Sequence, residues 1–176
     1  MKSSKLILFS VSVFLVFVTS CKSDEPSAEL LKWKSDNESY FANMKDSAEY
    51  ISYEIPAIRG GGSFYYKIKV QGDFISGSPA YSDIVKVNYR GKFVDKYIFD
   101  SSFKGMDPRI DSTAKPITYR ANGFIPGWTE NLMQMKTGEI RTIVLPQELG
   151  YGIKGKGIIP PYSTLVFDVQ LISFGQ

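Results

Sequence analysis

The chain of 176 residues contains no His and one Cys, Cys21. Histidine metal sites and histidine-dependent catalytic triads are therefore excluded. A lone cysteine forms no internal disulfide and no cysteine metal cluster. No phosphate-cradling glycine motif follows a strand-like run. Any chemistry must then rest on carboxylates, hydroxyls, amines, backbone groups or shape, with no metal and no cofactor expected. The candidates are Asp100 beside Ser101-Ser102, Tyr151 between Gly150 and Gly152, and the rings of Tyr89, Phe99, Trp128 and Phe167. Taken singly, each has a structural reading. The rings fit a core, Asp100 fits a turn cap, and Tyr151 fits a packing role. Asp168 stands between Phe167 and Val169 on an alternating run and reads as outward-facing or structural.

The elements that must position these groups follow from periodicity. Phe64–Val70 and Ile84–Tyr89 alternate as strands do. Gly91 suits a turn before a further strand over Phe93–Phe99. Breakers fill the loop from Ser101 to Lys115, and Pro116–Arg120 is a short strand. Gly127–Thr137 predicts a short helix with Trp128, Leu132 and Met135 on one face and Gly138 at its stop. Glu139–Leu145 and Thr164–Phe174 read as strands around a glycine-rich loop over Gln147–Pro161. Upstream, Ser27 to about Ala48 predicts a helix capped by Ser27. Its apolar stripe runs through Leu30, Trp33, Tyr40, Phe41, Met44 and Ala48, and Asn37 interrupts it. Such a stripe is covered by the chain's own globular part, by a second copy or by a partner. Tyr50–Ile58 fits a short strand or a linker, and Arg59-Gly60-Gly61-Gly62 is a hinge signal. The expected fold class is α+β, a mostly antiparallel sheet crossed by one short helix.

Five segments share an order with a known family. They are Val87-Asn88-Tyr89-Arg90-Gly91, Tyr97 to Ser102, Phe124-Ile125-Pro126-Gly127-Trp128, Leu149-Gly150-Tyr151-Gly152, and Ile158-Ile159-Pro160-Pro161 followed by Thr164 to Val169. From Ser63 to Phe174 the chain resembles the FKBP-type peptidyl-prolyl cis-trans isomerases. The resemblance implies a curved antiparallel β-sheet wrapped around one short α-helix, to which the Ser27–Ala48 stripe adds an N-terminal helical extension. It implies rotation about X–Pro bonds in proline-containing polypeptides, and macrolide immunosuppressants as further ligands. By that resemblance Trp128 floors a pocket, and Tyr89, Phe99, Phe124, Ile125 and Phe167 line it. Ile159 and Tyr119 complete the walls, and Ile117 stands where the family usually has an aromatic. The Ile125 N–H and the Tyr151 hydroxyl hold substrate carbonyls, and Asp100 meets the twisting amide. Family members often pair that acid with an arginine from the following loop. Here the loop is longer and Arg109 is the candidate. A chain with no His suits this reaction, because no bond is broken and the barrier of about 18–20 kcal/mol comes from amide resonance.

The N-terminus adds an expected address. Lys2 and Lys5 precede the apolar run Leu6–Val18, which is shorter than the roughly 20 residues of a membrane span. The run ends at Val18-Thr19-Ser20-Cys21. This pattern resembles a bacterial lipoprotein leader, with Cys21 as the lipid attachment site; a plain secretory signal is the alternative. The division expected is 1–20 signal peptide, 21–62 tether and helical extension, and 63–176 isomerase domain. The expected location is the cell envelope, lipid-anchored at the outer membrane on its periplasmic side or at the cell surface. Losing Lys2 and Lys5 would bring the formal charge from +3 to about +1, so no nucleic acid partner is expected. Beside the isomerase stands the alternative of a non-catalytic chaperone or docking module, which Ile117 and a flap-like 101–115 loop would favour.

Overall fold

The computed structural model describes residues 25–175, so Cys21 and the leader lie outside the described residues. Seven strands form one antiparallel sheet in the order β1-β2-β6-β7-β3-β4, with β5 also paired to β3. The strands are β1 (Ile51–Glu54), β2 (Ser63–Val70), β3 (Ile84–Lys92), β4 (Ile98–Ser101), β5 (Ile117–Arg120), β6 (Ile140–Leu145) and β7 (Leu165–Gly175). Among the described residues the α-helices are α1 (Ala28–Asn43) and α2 (Pro126–Leu132).

Alternation along the central strands sorts the two faces of the sheet. Val85 and Val87 on β3, and Leu165, Phe167, Val169 and Leu171 on β7, are buried with Trp128 and Leu132 of α2. The other face is polar yet covered. Asn88 donates to Gln170 at 3.0 Å. Asp168 accepts from Lys69 of β2 at 2.6 Å, from Lys92 of β3 at 2.8 Å and from Thr142 of β6 at 2.6 Å. Asp168 is therefore structural.

Three local expectations change. Gly91 does not turn the chain. It lies inside β3, where a Cβ would stand 2.5 Å from the Phe99 ring and 2.8 Å from Phe167, and the turn comes later, with Lys96 N–H bonded to the Phe93 carbonyl. Helix α2 ends at Leu132 rather than Thr137, because the chain tightens into i→i+3 bonds from Gln134 to Asn131 and from Met135 to Leu132. The loop after β4 is no flap. Arg90 on the polar face donates to the Phe103, Lys104 and Gly105 carbonyls and sits 4.3 Å over the Phe103 ring. These bonds fold the loop onto the side of the sheet opposite α2.

Helix α1 begins at the expected cap, where the Ser27 side chain accepts from the Leu30 N–H. The chain's own fold covers its stripe only in part, since Leu30, Trp33, Tyr40, Phe41 and Met44 are half-buried and Ala48, beyond the helix end at Asn43, is exposed. Trp33 meets Phe93 edge-on at 5.4 Å, and Phe41 meets Tyr65 at 5.1 Å. Asn37, expected to interrupt the stripe, is its one fully buried residue. Its Oδ1 accepts from the Thr164 N–H at 2.8 Å, and its carbonyl accepts from Thr164 Oγ1 at 3.0 Å. A buried amide is favourable where it meets backbone groups that have no other partner, and periodicity carries no sign of such a match. The hinge glycines Gly60–Gly62 turn the chain between β1 and β2, so the extension supplies the sheet's edge strand.

Candidate functional site

Between α2 and the sheet lies a cavity of about 590 Å³. Helix α2 has Pro126 at its first position, where the missing N–H costs nothing. That start places Trp128 one turn in, 3% exposed, with its ring at the base of the cavity. The indole is clamped on three sides. Phe124 stacks on it at 4.9 Å and 24°, Tyr89 of β3 meets it edge-on at 5.6 Å, and Phe167 of β7 at 5.2 Å and 88°. Phe99 of β4 meets Phe167 edge-on at 5.6 Å. Rings locked edge-to-face have little freedom to collapse into the space, so the cavity is held open by packing.

The polar groups are few. Tyr89 donates its hydroxyl proton to Asp100 Oδ2 at 2.5 Å. Burial, then the hydrogen bond to Asp100, pushes the Tyr89 phenol well above its ordinary value. Burial followed by the nearby Asp100 charge also raises the Tyr151 phenol. Both hydroxyls therefore stay protonated at neutral pH. Tyr89 is spent on Asp100, while Tyr151 faces the cavity as a donor. Ile125 caps α2 in an extended conformation, φ −62° and ψ 152°.

Of the residues expected at the site, Tyr89, Phe99, Asp100, Ile117, Phe124, Ile125, Trp128, Tyr151, Ile159 and Phe167 all line this one cavity. Tyr119 does not. It is 55% exposed and packs on the outer edge of Phe124 at 5.6 Å. Position along the strand explains the difference, since the two side chains share a face but Ile117 lies opposite Val87 and Tyr119 opposite Val85, further from the mouth. Arg109 does not reach Asp100 either. It pairs with Asp107 on the loop folded over the opposite face, and that pairing holds the Asp107 carboxyl below its ordinary range. The partner of Asp100 is the Tyr89 hydroxyl. Gly123, Lys156, Gly157 and Ile158 also line the cavity and were not expected. Ile158 adjoins the expected Ile159. Lys156 had no signal in the sequence, because it reaches the rim only through the turn that bridges it to Ile159.

Comparison with known proteins agrees with this arrangement. Residues 76–172 match the family described as FKBP-type peptidyl-prolyl cis-trans isomerase. The chain is 37% identical over 145 residues to the FKBP-type peptidyl-prolyl cis-trans isomerase FkpA of Escherichia coli, covering 82% of this chain and 49% of that protein. It is 44% identical over 95 residues to the FKBP-type 22 kDa peptidyl-prolyl cis-trans isomerase of the same organism, covering 53% and 42%. The chain thus spans about half the length of the curated relatives it matches. Among solved structures, FkpA from Escherichia coli superposes with a TM-score of 0.64 at 34% identity, covering 84% of this chain and 63% of that one. A peptidyl-prolyl cis-trans isomerase from Pseudomonas syringae pv. tomato gives 0.67 at 26% identity, covering 88% and 99%.

Proposed function

Because the chain belongs to the FKBP-type peptidyl-prolyl cis-trans isomerase family, we propose that it catalyses cis-trans isomerisation of X–Pro bonds in polypeptides and so assists their folding. The observation that carries this reading is the cavity floored by Trp128 and walled by locked rings, with Asp100 and Tyr151 at its edge. Rotation about the X–Pro bond passes through a twisted amide that has lost its resonance. The planar ground state is the more charge-separated form, so an apolar site that excludes water favours the twisted state differentially. The proline ring sits on the Trp128 indole, against Tyr89, Phe99 and Phe167. The Ile125 N–H and the Tyr151 hydroxyl hold substrate carbonyls, and Ile117, Phe124 and Ile159 complete the wall. Asp100, held by Tyr89, faces the twisting amide. No proton is transferred and no covalent intermediate forms. The same apolar cavity suits macrolide immunosuppressants as competing ligands.

The boundary between extension and isomerase domain is placed at Gly62/Ser63. The leader and Cys21 support export and lipid anchoring in the cell envelope, at the outer membrane or cell surface. Replacing Cys21 with Ser should leave an uncleaved precursor or release the protein from membranes. A Cys21→Ser protein processed and membrane-bound like the parent would refute the anchor. The isomerase is tested by proline-limited refolding of a substrate protein with the chain from Lys22 onward. Acceleration proportional to enzyme concentration is expected, and no acceleration would leave the non-catalytic module as the better reading.

A further inference from the structure

Glu130 follows Trp128 by two positions on α2, and its side chain is only 8% exposed. Two helical positions turn through about 200°, so Glu130 leaves α2 on the side away from the indole. Its partner comes from outside the matched residues 76–172. Arg59 Nε donates to both carboxylate oxygens of Glu130 at 3.1 Å. Arg59 Nη2 donates to Tyr53 Oη of β1 at 2.9 Å, and Gln134 Nε2, just beyond α2, donates to the same oxygen at 2.9 Å. Arg59 ends the tight turn Ala57–Arg59, immediately before glycines with φ of 108°, 70° and 92°. Those conformations suit glycine alone and aim the guanidinium back at the helix.

We propose that Arg59 is a positioning residue for the isomerase, holding α2, and with it Trp128, through Glu130 and Tyr53. The N-terminal extension thereby sets the geometry of the catalytic cavity. The inference rests on the isomerase reading for its kinetic arm only. Removing Arg59 leaves the buried Glu130 carboxylate without its cation, so the side chain must swing to water or to new donors, and that change shifts the short helix. Among the described residues that line the 450 Å³ space between hinge and helix, Arg59 is the cation, Glu130 and Glu148 are the carboxylates, and Tyr81 is the further titratable group. Glu148 is exposed. With Arg59 gone, no cation lining that space compensates the buried Glu130 carboxylate.

The chain has no His and two Trp, so the test is clean. The full chain, in detergent and labelled with 5-fluorotryptophan, gives one ¹⁹F resonance for Trp128 and one for Trp33 as an internal control. In Arg59→Met the Trp128 resonance should move from its parent position while Trp33 stays fixed. The same variant should lose at least threefold in kcat/KM. Adding Glu130→Gln, which removes the unpaired charge, should bring the Trp128 resonance back towards the parent position, and Arg59→Lys should show a smaller shift in the same direction as Arg59→Met. Trp128 resonances in Arg59→Met and Arg59→Lys that match the parent would overturn the proposal, as would a shift in Arg59→Met that Glu130→Gln leaves unchanged. Should the parent show no turnover, the isomerase reading fails while the resonance test still decides the clamp.

Discussion

At the scale of single residues, the cavity divides its work between rings that hold shape and two groups that act on polarity. Asp100 is exposed at the rim and makes its hydrogen bond to a hydroxyl, not to a cation. It is therefore the better probe of the reaction. Phe99 also packs on Phe93 at 4.9 Å and on Phe167, so Phe99→Ala mixes a packing loss with a catalytic one. Asp100→Leu should lower kcat/KM about tenfold, or about 1.4 kcal/mol, with little change in denaturant midpoint. The parent profile should be flat from pH 6 to 8, because His is absent and burial keeps the Tyr89 and Tyr151 phenols protonated there. Parent-like turnover in Asp100→Leu would remove the role assigned to that carboxylate, and a bell-shaped profile would point to general acid–base chemistry.

Among the elements, α1 is informative because its amphipathic stripe is only half buried. Its attachment relies on a few specific contacts. The Trp33 indole N–H donates to Ser163 Oγ at 3.3 Å, one residue before the Thr164 that Asn37 receives. Helix α1 therefore docks on the segment leading into β7, the strand that carries Phe167. Asn37→Ala would strand the buried Thr164 N–H without its acceptor. An unsatisfied buried donor costs about 1–3 kcal/mol, and that loss should appear in urea unfolding, with faster amide exchange across α1. A loss under about 0.5 kcal/mol would mean that the stripe alone holds the helix.

For the whole molecule, Asp168 is the charge that spans the sheet. It ties β2, β3 and β6 to β7 through Lys69, Lys92 and Thr142. Burial alone would raise its pKa, but these hydrogen bonds and the Lys69 charge prevail and hold it at about 2. An unfolded aspartate titrates near 3.9. The folded value is depressed, so the stabilisation is complete above about pH 4 and is lost as pH falls towards 2. Urea midpoints should fall steeply over that interval in the parent and less so in Asp168→Asn. Parallel curves for the two proteins would show that other carboxylates govern acid unfolding.

The sequence by itself determined the family, the antiparallel sheet around a short helix, and most of the residues that meet at the cavity. Those features rest on alternation, turn chemistry and motif order, all of which are local or linear. Tertiary structure alone decided the rest. Gly91 reads as a turn until the Phe99 and Phe167 rings are seen against its Cα. Asn37 reads as a flaw in a stripe until Thr164, far along the chain, presents its N–H. Arg109 and the long loop read as parts of the site until Arg90 draws the loop carbonyls to the opposite face of the sheet. Tyr119 falls outside the cavity wall by its position along β5. The bond between Arg59 and Glu130 carries no mark in the sequence, where Arg59 reads only as the start of a hinge, since 71 positions separate its two ends. In each case the deciding partner is distant along the chain, and whether a buried polar group or a missing side chain is a defect or an anchor depends on what folding brings against it.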